Sequence, residues 1–85
     1  MLILLNNKKE VINLNCVSEI QIRKDKKAER YFLECTMICS ANGIHQRILG
    51  RFDKEEYAAN VLEDIVNQYG RGQKIYKMGE KKKWP

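Results

Sequence analysis

Long apolar runs are missing from this chain. No stretch approaches the roughly 20 apolar residues that a membrane-spanning helix needs. The opening Leu2-Ile3-Leu4-Leu5 is too short for a signal-peptide core and has no basic region before it. It reads as a strand, and the expected location is the cytoplasm. Cysteine is sparse as well. The three residues Cys16, Cys35 and Cys39 are an odd number, unlike the even framework of a small secreted domain. On an extended strand Cys35 and Cys39 stand about 13 Å apart. A disulfide tolerates a Cα separation of about 7 Å at most, and one zinc holds its sulfurs at roughly 2.3 Å. His45, the only histidine, falls on the opposite strand face. Neither a metal site nor a cofactor is expected, and the cysteines read as small apolar core residues.

Catalytic constellations are equally scarce. The pair Ser40 and His45 lies beside a turn, with no carboxylate placed to orient the imidazole, and reads as a solvated hairpin tip. Glu55-Glu56 and Glu63-Asp64 are neighbours in sequence, but adjacent helical residues diverge by about 100° and do not converge as acid and base. Gly70-Arg71-Gly72 follows a helix instead of preceding one, so it is not a phosphate-binding loop. These absences argue against an enzyme.

What the chain does have is an alternating pattern. Asn42-Gly43 between two apolar runs is a strong hairpin signal, because a two-residue type I′ turn needs φ > 0 at both central positions. Counting outward from that turn pairs Met37 with Ile48, Cys35 with Gly50, Glu34 with Arg51 and Leu33 with Phe52. One face then carries Leu33, Cys35, Met37, Cys39, Ile48 and Phe52. The other carries Glu34, Thr36, Ser40, His45, Arg47 and Arg51. Before this hairpin, residues 2–5 and 11–14 read as two strands joined by a polar turn. Residues 13–16 bend the chain, and residues 17–24 form a third strand with Ile20 and Ile22 inward.

A helix over residues 53–69 follows. Asp53 is the expected N-cap, with Glu56 three residues later as in a capping box. Tyr57, Val61, Leu62, Ile65, Val66 and Tyr69 form the apolar stripe, and Gly70 suits the left-handed position that ends a helix. Residues 74–78 make a short last strand at a sheet edge. The expected architecture is α+β: one curled antiparallel sheet of five or six strands, a meander covered by the single helix. Strong twist would bring it towards a half-open barrel similar to pleckstrin-homology-like modules, an analogy of fold that carries no function. Residues 1–78 form one domain, and residues 79–85 a basic tail.

Charge is distributed unevenly. The chain is +5 overall, yet residues 53–69 carry −4, which leaves +9 for the rest. Arg23, Arg47 and Arg51 collect on the outer sheet face, and Lys81, Lys82, Lys83 and Trp84 form the tail. Such a surface attracts phosphates and offers an aromatic for stacking. Phe32, Ile38 and Leu49 fall on the same nominally polar face and suggest an apolar patch.

Val11-Ile12-Asn13-Leu14-Asn15, Leu49-Gly50-Arg51-Phe52 and the Glu/Ala-rich segment from Glu55 to Ile65 together resemble small uncharacterised proteins of Gram-positive bacteria and their prophages. The resemblance covers residues 11–78 and supplies no catalytic residue. It implies a bacterial or phage-associated intracellular protein with an accessory role. The expected function is a non-enzymatic interaction module with a protein partner or a second copy at Phe32, Ile38 and Leu49. The alternative is sequence-nonspecific nucleic-acid binding through Arg23, Arg47, Arg51 and the lysine tail.

Overall fold

The computed structural model describes residues 1–38 and 43–79. The central hairpin spans β4 (Arg30–Met37) and β5 (His45–Phe52), with β3 (Val17–Asp25) on the far side of β4. These three form one antiparallel sheet. A second, smaller sheet places β1 (Leu2–Leu4) between β2 (Val11–Asn13) and β6 (Ile75–Lys77). The single curled sheet expected from the sequence is therefore two three-stranded sheets. The meander also fails at its end, because β6 runs parallel to β1.

A corner divides the sheets. After β2 the chain makes a single 3₁₀ turn over Leu14–Cys16, where the Asn13 side chain accepts the Asn15 N–H at 3.0 Å. A local side-chain bond of this kind ends a strand by offering the backbone another partner. The chain leaves the corner as β3, in the other sheet. The Ile38 N–H donates to the Cys16 carbonyl at 2.8 Å and ties the end of β4 to the same corner.

Helix α1 (Glu55–Gly70) packs on the large sheet, and one core joins all the layers. Ile3, Leu5 and Ile12 enter it from the small sheet, Leu33, Cys35 and Leu49 from the large one, and Val61 and Ile65 from the helix. Burying each aliphatic side chain contributes about 1.5–3 kcal/mol. The helical stripe is narrower than its sequence suggests. Ala58, Val61 and Ile65 are buried, while Val66 and Tyr69 are exposed. Val66 lies about 80° around the helix from Ala58, and Tyr69 sits in the last turn, beyond the cover of the sheet.

Both helix ends sit one or two residues from their expected caps. Lys54 is the N-cap, without a side-chain bond, and Glu55 and Glu56 occupy the first turn. There their charge meets the positive end of the helix dipole. Asp53 lies one residue too early, and its carboxylate stands 3.8 Å from Arg30 instead. At the other end Gly70 is still helical. The left-handed residue is Gly72, at φ +79°. Its N–H donates to the Tyr69 carbonyl, and the Gln73 N–H reaches back to Gln68, both at 3.1 Å. These two bonds define a Schellman motif.

That geometry gives a paired prediction. Gly72→Ala forces a Cβ into the left-handed region and costs about 1–2 kcal/mol. Gly70→Ala meets nothing within 4 Å and gains up to about 1 kcal/mol of helix propensity. Urea denaturation of the two variants should move in opposite directions.

Candidate functional site

The register of β4 and β5 decides which side chains share a surface. Tyr31, Phe32 and Leu33 pair with Phe52, Arg51 and Gly50. Beyond Leu33 the partners of Glu34, Cys35, Thr36 and Met37 are Ile48, Arg47, Gln46 and His45. Leu49 is the extra residue, a β-bulge. Compared with a two-residue turn at Asn42-Gly43, the register is shifted by two on one side of the bulge and by three on the other. An even shift keeps every side chain on its face, and an odd shift reverses them. Arg51 and Phe52 therefore stay where the sequence put them, while His45, Arg47 and Ile48 change faces. Asn42 lies outside the described residues.

The expected apolar patch does not assemble. Leu49 is only 2% exposed and belongs to the core. Phe32 is half-buried, with the Arg51 guanidinium 5.6 Å from its ring centroid. Ile38 is 51% exposed but follows the end of β4. The three residues share no surface.

The expected basic face is divided as well. Arg23, Phe32 and Arg51 form one row across the outer face of the large sheet, and Asp25 with Arg30 form the next. Glu19 and Glu34 lie further along the same face. Three arginines thus meet three acids, and Arg23 donates to Glu34 at 3.1 Å. The expected cross-strand pair of Glu34 with Arg51 is replaced by this bond across β3. Arg47 is on the other face, in register with Cys35, and its Nη2 lies 2.6 Å from Glu10, in the turn just before β2 of the small sheet. Lys81, Lys82, Lys83 and Trp84 lie outside the described residues.

The Arg47–Glu10 pair joins the two sheets at their rim. Hydrogen bonds from Asn7 and Arg47, together with the arginine's charge, hold the Glu10 carboxyl below its ordinary value. A carboxylate lowered by folding adds stability above its unfolded pKa, near 4.5, and loses it as pH falls through the folded value. Glu10→Gln should therefore be less stable than the parent at neutral pH, and the gap should narrow as pH falls below 4.5 and through the lowered folded value. Denaturant midpoints measured along that range check the sign. Burial pushes the nearby Cys35 thiol up, against the lowering effect of Arg47, which suits a core residue. Neither Cys16 nor Cys35 is in a disulfide. Cys39 lies outside the described residues.

A different surface stands out in the small sheet. Side chains alternate along β1, so Ile3 points into the core while Leu2 and Leu4 point outward. The register sets Leu2 between Asn13 and Ile75, and Leu4 between Val11 and Lys77. Four of these six outward positions are apolar. Leu2 is 41%, Val11 53% and Ile75 57% exposed, with Leu4 half-buried among them. The signal was present in the sequence, since residues 2–5 are apolar at every position where a half-solvated strand would alternate.

Asp64 is a smaller surprise. It reads as part of a solvated acidic face, yet its carboxylate accepts the Tyr76 hydroxyl at 2.7 Å and fastens β6 to the helix. Among the described residues no three His, Cys, Asp or Glu side chains group as metal ligands, and no helix is long and apolar enough to cross a membrane. The chain matches no protein-family model, no curated protein and no solved structure.

Proposed function

We propose that the protein is a small self-associating module, in which a second copy covers the outer face of the small sheet. The observation that supports this reading is the exposed group Leu2, Val11 and Ile75 around Leu4. A sheet that is apolar on both faces is normally covered on both, and here the core covers only one. Contiguous exposed apolar surface of this kind marks an interaction site.

A second copy suits the geometry because β1 is the middle strand. A two-fold axis along the strands stacks Leu2 on Leu2 and Leu4 on Leu4, with β2 facing β6 on either side. Lys77, the only charge among the six positions, then meets Val11 and not another lysine. Isologous pairing of this sort is the commonest oligomer symmetry. The face is small, two rows on three strands, so the interface falls at the weak end of the range. We expect a dissociation constant in the micromolar range or weaker, about −8 kcal/mol at most.

Nucleic-acid binding has less support, because Arg23, Arg47 and Arg51 do not share a face and the acids among them balance the charge. Ile75→Lys tests the reading. It should leave the fold intact, as Ile75 is exposed, and should hold the protein at the mass of a monomer. Val66→Lys, on the exposed side of the helix, should associate like the parent. Dissociation by Val66→Lys with no effect of Ile75→Lys would move the interface to the helix and overturn the reading.

A further inference from the structure

The large sheet is open at one side. Among the described residues β3 pairs only with β4, so its other side is a free edge. An edge strand presents unpaired backbone N–H and C=O groups, a ready template for a further strand. Ser18 is an extra residue between Val17 and Glu19, a β-bulge, which leaves residues 19–25 as the regular part of this edge.

The helix carries apolar surface that its own three strands do not cover. Tyr57, Val61 and Asp64 turn towards the small sheet. The first two line a cleft with Tyr76 and Met78, and the third accepts the Tyr76 hydroxyl. A Cβ on Gly50 would come within 3.1 Å of the Met78 side chain, so the small sheet adjoins β5. Because α1 packs across β3, β4 and β5, its opposite flank overhangs β3. Val66 stands on that flank, about 160° around the helix from Asp64. It is 60% exposed, and Leu62, one turn earlier, is half-buried. A fourth strand on the free edge of β3 is what this flank lacks.

The charges along the edge select what can pair with it. Ile20 and Ile22 are in register with the buried Cys35 and Leu33 and point to the helix side. Glu19, Gln21 and Arg23 point to the outer face. Glu19 is exposed, and Arg23 keeps 53% of its side chain exposed beside Glu34. An antiparallel strand is complementary when it sets an acid opposite Arg23 and a base opposite Glu19. Its residues opposite Ile22 and Ile20 then point to the helix side, towards Leu62 and Val66. We propose that the β3 edge docks an extended peptide of a partner protein, of the pattern acid, apolar, any, apolar, base, as a fourth antiparallel strand. Main-chain hydrogen bonds supply affinity in such an addition, and alternate side chains supply specificity.

A second copy suits this edge less well. Pairing β3 with itself about a two-fold axis also opposes Glu19 to Arg23. It separates the two β4 strands, and the helices above them, by three strand spacings, about 14 Å. Packed helices stand about 8–10 Å apart, so Val66 would stay uncovered in both copies.

The probe is a fluorescein-labelled peptide, Ser-Glu-Phe-Thr-Leu-Lys-Ser, followed by anisotropy. It should saturate below about 1 mM, and its charge-reversed form, Ser-Lys-Phe-Thr-Leu-Glu-Ser, should bind several-fold more weakly. Val66→Lys should weaken binding several-fold, and Glu19→Lys should remove the preference between the two peptides. Both positions are exposed, so the far-ultraviolet circular dichroism should be unchanged. Ile75→Lys, on the small sheet, should bind the peptide like the parent, which separates this site from self-association. Failure of both peptides to saturate, or equal binding of the two by the parent, would overturn the proposal. Binding that neither Val66→Lys nor Glu19→Lys alters would overturn it as well. Self-association abolished by Val66→Lys would give the edge to a second copy, against the proposal.

Discussion

Leu49→Ala is expected to lose about 2–5 kcal/mol of stability, and Ile48→Ala no more than about 1 kcal/mol. For a chain of 85 residues, whose total stability is about 4–13 kcal/mol, the first loss is close to unfolding. The contrast follows from the bulge. Leu49 is the unpaired residue of β5 and is 2% exposed in the core, whereas Ile48 pairs with Glu34 on the outer face. A register running straight from a two-residue turn would reverse the ranking, because it puts Ile48 inside and Leu49 outside. Denaturant midpoints of the two variants, measured side by side, distinguish the registers. Equal losses, or a larger loss for Ile48→Ala, would refute the bulge.

The second large effect belongs to β1, where one strand serves two surfaces. Ile3 is fully buried between Ile12 and Tyr76, so Ile3→Ala should cost about 2–5 kcal/mol. Leu2→Ala, one residue earlier, removes a side chain that is 41% exposed. It should change the monomer's stability by less than about 1 kcal/mol and weaken association instead. Thermal melts of the two variants at low concentration isolate the folding term, and melts at high concentration add the association term. A Leu2→Ala protein that melts as early as Ile3→Ala at low concentration would show that the outer face is part of the folding core.

These two cases also show what a reader of the sequence alone can and cannot find. Strand positions and the centre of the helix's inward face, Val61 and Ile65, were legible, because both depend on local periodicity. The hairpin of β1 and β2 was legible for the same reason. The division into two sheets was not. It depends on one 3₁₀ turn, Leu14–Cys16, and residues that bend a chain within one sheet look the same as residues that hand it to another. The parallel pairing of β6 with β1 joins the two ends of the described chain, and no local pattern encodes it. The bulge was hidden in another way. Ile48-Leu49 offers two adjacent aliphatic residues, and alternation can place either inside.

The candidate site followed those errors. Once β5 is shifted by an odd number beyond Leu49, Arg47 crosses to Glu10 and leaves the basic face, and Leu49 leaves the apolar patch. The outward group of Leu2, Val11 and Ile75 had its own signal in an opening strand without alternation. That signal acquires meaning only when β1 is known to be central, with an apolar neighbour on each side.

The mass of the protein in solution, followed by sedimentation equilibrium from about 10 µM to about 1 mM, is the most direct test of self-association through the small sheet. The account predicts a weight-average mass that climbs from 10.0 kDa towards twice that value, and a Leu2→Lys variant that stays at the monomer mass throughout. A parent chain that remains at 10.0 kDa over the whole range, or a Leu2→Lys variant that associates just as strongly, would contradict it.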